Sequence, residues 1–427
     1  MGGILRGEEA MTTHDESIPR RRRAPYVVVA TALGITLAAS GAPSPAYSAF
    51  QAQWSLPAGA ITLAYAAYAV GVIAALLTAG GISDRVGTRP VLVAGMLGLS
   101  LSMVGLALAP DLPALILARL IQGVATGIAT GAAGAALSET HPRSDQRAAA
   151  GMNSIVSTLG IAAGALASGL ILDWGGPVPF PFEMFACASL LTAVGVAVLS
   201  PRTARATGTR LLQVQRPSVP RGMRRDFAVA SFCVTAAWSV GGLYLALGGT
   251  LASSLLGVHG HVVAGIVVLA VQGVGGVVQV VWMLIARTVS PRRAATCAMF
   301  ALGIGTAMTA AGAVVASAPL AVAGAVLSGA GFGLSFLTGT RIVTLAAPAS
   351  QLGAVLAAYF IVAYLALSVP ALAVGFLAAA IGDSAAFVLF ATAVIVLCSA
   401  ALVLLRPQRE ADRSASGNAA GIPSVRP

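Results

Sequence analysis

Long runs of uncharged, apolar residues recur along almost the entire chain, and they constrain its fold more than any other feature. A helix needs roughly 20 apolar residues to cross about 30 Å of hydrocarbon, and many of the runs have that length. The composition agrees, because 57% of the 427 residues are hydrophobic, only 9% are charged, and the mean hydropathy is +0.89. A water-soluble fold would need a polar face on most of its helices. We therefore predict an all-α polytopic membrane protein.

The apolar runs predict twelve transmembrane helices. Their approximate bounds are 26–50, 59–79, 90–109, 113–137, 149–172, 182–200, 227–250, 261–286, 294–315, 319–345, 352–380 and 382–405. The longest polar segment between helices, 201–226, contains seven Arg and divides the helices six and six. This predicts an N-terminal half at 26–200, a linker at 201–226, a C-terminal half at 227–405, and tails at 1–25 and 406–427.

Positive charge is distributed asymmetrically along the chain. All 25 basic residues are Arg, and outside the helices they lie in the two tails and in the connections 80–89, 138–148, 201–226 and 286–293. The connections on the other side carry Asp111, Asp173 and Asp383 instead. Because cytoplasmic loops of membrane proteins carry the excess of basic residues, we expect both termini in the cytoplasm. The net charge of +11 is then a topology signal, and the expected partner is a lipid bilayer and not a nucleic acid.

The segment GGISDRVGTRP places three charged residues between the second and third apolar runs. Its glycines permit a tight turn, and its Asp-Arg pair can form a hydrogen-bonded contact at the membrane surface, although a purely structural hairpin is the alternative. The segment resembles motif A of the major facilitator superfamily, with matches at Gly80, Asp84, Arg85, Gly87 and Arg89 and with Thr88 in place of the usual basic residue. The resemblance implies two six-helix halves that this gating loop latches together in the outward-facing state.

A second match lies in the fourth helix, where Arg119, Gln122 and Gly123 in LARLIQGVATG resemble motif B of the same family. A charged side chain inside a membrane costs at least about 2.5 to 3.5 kcal/mol, so we expect Arg119 to face the bundle interior or a wet cavity. The alternative is that Arg119 snorkels to the outer surface. Gln122 follows three residues later on the same helix face, which favours a shared role in coupling or in the cavity.

The loop after the fourth helix, SETHPRSDQRAAAG, resembles the corresponding loop of the family. By this resemblance Glu139 and Arg143 or Arg147 are candidates for a cytoplasmic charge network. The chain departs from the family at Ala286, which stands where the second copy of motif A would carry its Asp.

The sequence contains no Asp or Glu near the centre of any predicted helix. A proton-driven carrier usually needs a titratable group whose pKa differs between its states. The candidates are Asp84, Glu139, Asp173, Glu183, His259 and His261. We expect both His side chains, in a short outer loop, to be solvated.

The predicted cavity is lined mainly by the first, fourth, seventh and tenth helices and is weakly polar. Besides Gln122, its candidate lining residues are Trp238, Gln272, Gln279, Phe332, Phe336 and Tyr364. Packing in the protein core is the alternative for each aromatic side chain.

These features predict a secondary transporter of a bacterial cytoplasmic membrane that moves a small hydrophobic or amphipathic molecule by alternating access. Proton-coupled efflux is the leading mode; an uptake permease or facilitator and a non-transporting sensor are the alternatives. Without Lys the chain has no P-loop lysine, and no constellation typical of an enzyme is present, so we expect neither ATP-driven transport nor catalysis. We expect a monomer without metal or cofactor.

Overall fold

The computed structural model describes residues 20–79, 82–142, 146–201, 217–285, 289–348 and 351–405, and the regular elements in these ranges are all helical. Twelve helices are long and apolar enough to cross a membrane. We label them α1 (Ala24–Trp54), α2 (Gly59–Thr78), α3 (Thr88–Ala107), α4 (Leu112–Thr140), α5 (Ala148–Asp173), α6 (Phe180–Leu199), α7 (Arg221–Leu256), α8 (His261–Ile285), α9 (Pro291–Val314), α10 (Ala318–Ala346), α11 (Leu352–Ile381) and α12 (Asp383–Leu405). The predicted all-α fold with twelve spans is therefore confirmed.

The outer surfaces of these helices are apolar. Leu101 on α3 and Leu191 and Val198 on α6 are 65%, 72% and 73% exposed. Large apolar side chains so exposed would be unfavourable in water, but they match the hydrocarbon of a bilayer. The exposed belt thus identifies a multi-pass membrane protein.

Two spans are not regular α-helices throughout. The first consists of Arg20–Gly41 and Pro43–Trp54, which meet at Ala42, and it extends beyond the predicted end at residue 50. The eighth contains a π-helical turn, Leu269–Gly273, between two α-helical segments. Such turns insert an extra residue into a helix and often occur at functional sites.

Helices within the first six and within the last six pack mainly against one another, as α3 does on α4 and α6 and as α9 does on α10 and α12. The two groups meet chiefly where α2 packs on α11 and where α5 packs on α8. Small residues allow close approach: Gly123 on α4 lies against the Tyr68 carbonyl of α2, where a Cβ would overlap the backbone. Of the predicted linker, 202–216 lies outside the described residues.

We call the end of the bundle with Asp111, Asp173 and Asp383 the outer end, and the opposite end, with Glu139 and Asp226, the inner end, after the predicted orientation. Successive helices run antiparallel through the bundle, so the first three acids lie at one end of it and the other two lie at the opposite end.

Candidate functional site

The first span is broken at a proline, and the break creates a polar anchor in the bundle. Pro43 has no N–H, so the Ala39 carbonyl four residues earlier loses its usual helical partner. Gln122 of α4 replaces that partner, because its Nε2 donates to the Ala39 oxygen over 2.8 Å. Broken backbone is tolerated at membrane depth only where other groups satisfy it. The sequence GAPSP in α1 therefore explains why a fully buried glutamine lies on α4.

Gln122 in turn holds Arg119. Its Oε1 accepts a hydrogen bond from Nη1 of Arg119, whose side chain is only 1% exposed. This burial contradicts the snorkelling alternative and agrees with an arginine that faces the bundle interior. Gln122 is occupied on both sides and therefore positions the guanidinium.

Three tyrosines surround the guanidinium of Arg119. Its central carbon lies 4.5 Å from the ring centre of Tyr68 and 6.0 Å from those of Tyr47 and Tyr65. Each such cation–π contact stabilises the charge by about 0.5 to 2 kcal/mol, depending on desolvation. Within the described part of the chain, the structure shows no ion pair between Arg119 and a carboxylate. The arginine is thus a buried cation held by π faces and one amide.

Sequence inspection alone did not find this tyrosine cage, although a signal was present. Tyr65 and Tyr68 are three residues apart and so share one face of α2. They lie six and nine residues from the outer start of α2, and Arg119 lies seven residues from the outer start of α4, so all three have similar depth.

Several polar atoms around Arg119 lack hydrogen-bond partners. Nε of Arg119 and the hydroxyls of Tyr47 and Tyr65 are buried without one. Each unpaired buried group of this kind costs about 1 to 3 kcal/mol. The hydroxyl of Tyr68, by contrast, donates to Ser40 Oγ over 3.2 Å. All three unpaired groups can donate a hydrogen bond, and the two hydroxyls can also accept one.

An aromatic chain connects this cluster to the second half of the bundle. Tyr68 of α2 lies 6.4 Å from Tyr364 of α11, and Tyr364 lies 5.3 Å from Trp238 of α7. Trp238 is also 5.3 Å from Phe336 of α10, in each case between ring centres. The structure thus brings together three of the predicted cavity residues and places them against the Arg119 cluster. Trp238 is half-buried, and the other three rings of this chain are buried. A ligand could therefore reach these rings only if the two halves separate.

The other predicted cavity residues lie elsewhere. Gly241 of α7 approaches Phe332 and Gln272 so closely that a Cβ there would lie 3.0 and 3.5 Å from them. Both side chains are nearly fully buried, which favours core packing for Phe332.

Gln279 does not line a cavity in this structure. Its Oε1 accepts from Ser154 over 3.1 Å, and its Nε2 donates to Thr158 and to the Gly333 carbonyl. Since Ser154 and Thr158 belong to α5, Gln279 of α8 connects the two halves of the bundle. Gln272 lies within the π-helical turn Leu269–Gly273, and Gln279 lies in the α-helical segment that follows it.

The loop between α2 and α3 contains a short helix, Ile82–Val86, which is followed by Gly87. Gly87 has φ = 97°, a conformation that L side chains rarely adopt. Gly80 and the side chain of Asp84 lie outside the described residues, so the structure does not test a contact of the predicted latch there.

The described part of this loop is attached to neighbouring helices of the same half. The Thr88 hydroxyl donates to Glu139 Oε2 over 3.0 Å, so Thr88 contacts an acid although it replaces the family's basic residue. Arg89 donates to the Ala197 carbonyl in the last turn of α6, where backbone carbonyls lack helical partners. Arg143 and the side chain of Arg147 lie outside the described residues. The gating and network roles of these residues stay predictions.

Polar contacts close the outer end between the two halves. Asp173, the last residue of α5, accepts from the backbone N–H groups of His261 and Val262 over 2.8 and 2.9 Å and so caps α8. Nδ1 of His261 lies 3.2 Å from both Ser48 Oγ and the Pro45 carbonyl on α1. The expectation that His261 is solvated is therefore wrong, because capping of its backbone directs the ring onto α1.

A second outer contact joins α1 to α7. Thr250 Oγ1 donates to Gln51 Oε1 over 3.2 Å. At the inner end, Gly131 of α4 would have no neighbour within 4 Å of a Cβ, and Thr130 beside it is half-buried. The halves are thus joined by side chains at the outer end and, through Gln279, also toward the inner end, while Gly131 of α4 borders open space.

Comparison with known proteins agrees with this architecture. The chain is 30% identical over 197 residues to solute carrier family 22 member 15 of Xenopus tropicalis and 35% identical over 92 residues to the class C tetracycline resistance protein of Escherichia coli. These matches span 44% and 22% of this chain and only 35% and 23% of the relatives' own lengths.

The fold itself resembles that of solved transporters. The crystal structure of the nucleoside transporter NupG (D323A mutant) superposes with a TM-score of 0.70 at 13% identity, covering 90% of this chain and all of that one. The family model described as Major Facilitator Superfamily matches residues 29–370. With a match over most of the chain and a shared twelve-helix fold, this protein is a member of the major facilitator superfamily of membrane transporters.

Proposed function

We propose that this protein exports a small amphipathic molecule across the cytoplasmic membrane by alternating access, driven by proton influx. The observation that carries the proposal is the cluster in the bundle interior, in which Arg119 and Tyr68 of the first half meet Tyr364 and Trp238 of the second. Transporters of this kind bind substrate near the bilayer midplane, between two halves that rock around it. The aromatic rings offer apolar surface, and Arg119 and its neighbours offer hydrogen bonds.

Export would begin from the cytoplasmic side. Contacts of Asp173, His261 and Gln51 hold the outer end together, and Gly131 of α4 borders open space in the inner half, where Gln279 also joins the two halves. A substrate that arrives from the cytoplasm would meet half-buried Ser40 and Trp238 before it reaches Arg119. The similarity to a protein named for tetracycline resistance favours the same direction.

Uptake or facilitated diffusion is the second candidate, and the positions of the acids favour it. The described acids lie at helix ends: Asp111, Glu139, Asp173, Glu183, Asp226 and Asp383. Proton coupling would therefore have to use an acid near a membrane surface, such as Asp84 or Glu139.

Transport in everted membrane vesicles tests the proposal. With an imposed pH gradient, vesicles that contain the protein should accumulate neutral or weakly acidic hydrophobic compounds, and a protonophore should abolish this accumulation. Asp84→Asn should remove it at equal protein level, because the motif implies that Asp84 closes the inner end. Asp111→Asn is the matched control, since Asn also caps helices well and Asp111 lies at the outer end.

Two results would change the assignment. Accumulation that follows the compound's own gradient and ignores pH would favour the facilitator. Strong accumulation of a permanent cation such as ethidium would contradict the proposed pocket, because Arg119 repels cations and the described core offers no counter-charge. Equal activity of Asp84→Asn and wild type would refute the gating role.

A further inference from the structure

We infer that Arg119, Tyr47 and Tyr65 form a binding site for the carboxylate group of an amphipathic monoanion. The inference rests on the proposed transport function and names the class of substrate for it. It starts from three buried donor groups, one on each of α1, α2 and α4, that have no acceptor.

The number of donors matches a carboxylate. Nε of Arg119 and the hydroxyls of Tyr47 and Tyr65 are buried without hydrogen-bond partners. A carboxylate has two oxygens with about four lone-pair sites and no proton to donate. It could therefore accept from all three groups at once, whereas a neutral amide or alcohol offers fewer acceptor sites and no charge to pair with the guanidinium.

The Nε edge of the guanidinium is buried but makes no hydrogen bond. Tyr68 covers the group at 4.5 Å, and Gln122 accepts from Nη1. Because a guanidinium is planar, a ring on its face does not block the N–H groups in its plane. Gln122 also fixes the side chain through the Ala39 carbonyl, so the donor edge is held in place before a ligand arrives.

Charge limits the ligand to a single negative group. Arg119 is the buried basic residue of the described helices. The other arginines of these helices lie toward their inner ends, and none of them is buried. A monoanion would neutralise the buried charge, whereas a dianion would leave an excess charge in the membrane. The rings of Tyr364 and Trp238 adjoin the cluster and would receive an apolar or aromatic remainder of the molecule.

Binding of matched ligand pairs to the purified full-length protein in nanodiscs tests the inference. The probes are acetate, benzoate and 2-naphthoate, each compared by calorimetry with its uncharged amide. We expect at least one carboxylate to bind at least about tenfold more tightly than its amide, because hydrogen bonds to a charged group are the stronger ones. Tyr47→Phe and Tyr65→Phe should each weaken that carboxylate by about tenfold and leave the amide unchanged.

The same variants separate ligand binding from folding. Since neither hydroxyl has a partner in the empty protein, Tyr47→Phe and Tyr65→Phe should leave its Tm unchanged or slightly raised. The control is Tyr359→Phe, which should not affect binding. Tyr359 is a buried tyrosine of the second half and lies beside Phe360. Arg119→Lys should retain the charge but lose most of the preference for the carboxylate, because the planar fork is gone.

The inference is overturned if no carboxylate binds better than its amide, or if both Phe variants bind the carboxylate like wild type. Such a result leaves the proposed export intact when neutral compounds are still transported in an Asp84-dependent manner. Carboxylate binding without any transport would refute the proposed function and leave the site standing.

Discussion

The cap that Asp173 provides for α8 should control how often the outer end opens. Asp173 lies at the end of α5, in the first half, and accepts from two backbone N–H groups at the start of α8, in the second half. When the halves separate at the outer end, these bonds must break. Replacing a capping side chain by Ala costs about 0.5 to 2 kcal/mol, and part of this is the attraction of a carboxylate to a helix N-terminus.

The expected effect is a population shift. A loss of about 1.4 kcal/mol from the outer-closed state alone corresponds to a tenfold increase in the ratio of outer-open to outer-closed protein. Asp173→Ala should produce roughly this change. Asp173→Asn should produce a smaller one, because the amide keeps one acceptor oxygen.

Distances between spin labels at the outer end measure this ratio. Labels at Leu108 after α3 and at Val315 after α9 report on opposite halves, and both sites are largely exposed. The four native cysteines are replaced first, since Cys187 and Cys297 are exposed and would react. Asp173→Ala should enlarge the population with the longer distance.

Asp111 offers a matched control for this experiment. It caps α4 within its own half by accepting from the Ala114 N–H over 2.9 Å. Asp111→Ala therefore removes a cap at the same end of the bundle without a change at the boundary between the halves. It should lower stability but leave the distance distribution unaltered. If Asp173→Ala gives the wild-type distribution, the cap does not stabilise the closed state, and the reasoning fails.

Three further predictions concern packing and positioning. Gly242→Ala should sharply lower the Tm or the yield of folded protein, because its Cβ would overlap the Leu367 carbonyl of α11, whereas Gly131→Ala, with open space around it, should behave like wild type. Gln122→Leu should lower the Tm, since Arg119 and the Ala39 carbonyl each lose a partner at about 1 to 3 kcal/mol, and a Tm equal to that of wild type would refute the anchoring role. Thr88→Val should cost about 1 kcal/mol through the lost bond to Glu139, while Thr88→Ser should restore most of it in the same melting experiment.

The fold was predictable from sequence because it depends on one-dimensional properties. Runs near 20 apolar residues specify spans regardless of what they contact, and all twelve predicted spans are observed. The first span was predicted to end at residue 50, but it continues to Trp54. Pro43 and Pro45 lie inside the predicted span and do not end it, because proline fits the first turn of a helix and Pro43 begins the second segment.

The residues of the site could be predicted only in part, because they come from different helices that meet only in the folded bundle. Arg119 and Gln122 were found because a buried charge and its neighbour at i+3 lie on a single helix. Tyr47 and Tyr65 contribute from other helices, and their relation to Arg119 depends on how α1, α2 and α4 pack. Gln279 was misplaced because its partners, Ser154 and Thr158, lie more than 100 residues away on α5.

The proline break, the buried arginine and the outer closure together suggest how binding and closure are coupled. Pro43 separates an inner segment of α1, whose Ala39 carbonyl contacts Gln122, from an outer segment that bears Tyr47, Ser48 and Gln51. The outer segment therefore contributes both to the Arg119 cluster and to the contacts with His261 and Thr250. A ligand that draws the Tyr47 hydroxyl toward Arg119 must act on the same rigid segment that closes the outer end. At the proposed site, substrate binding and the outer closure would thus share one helical segment, so that binding would shift the equilibrium between the outer-open and outer-closed states.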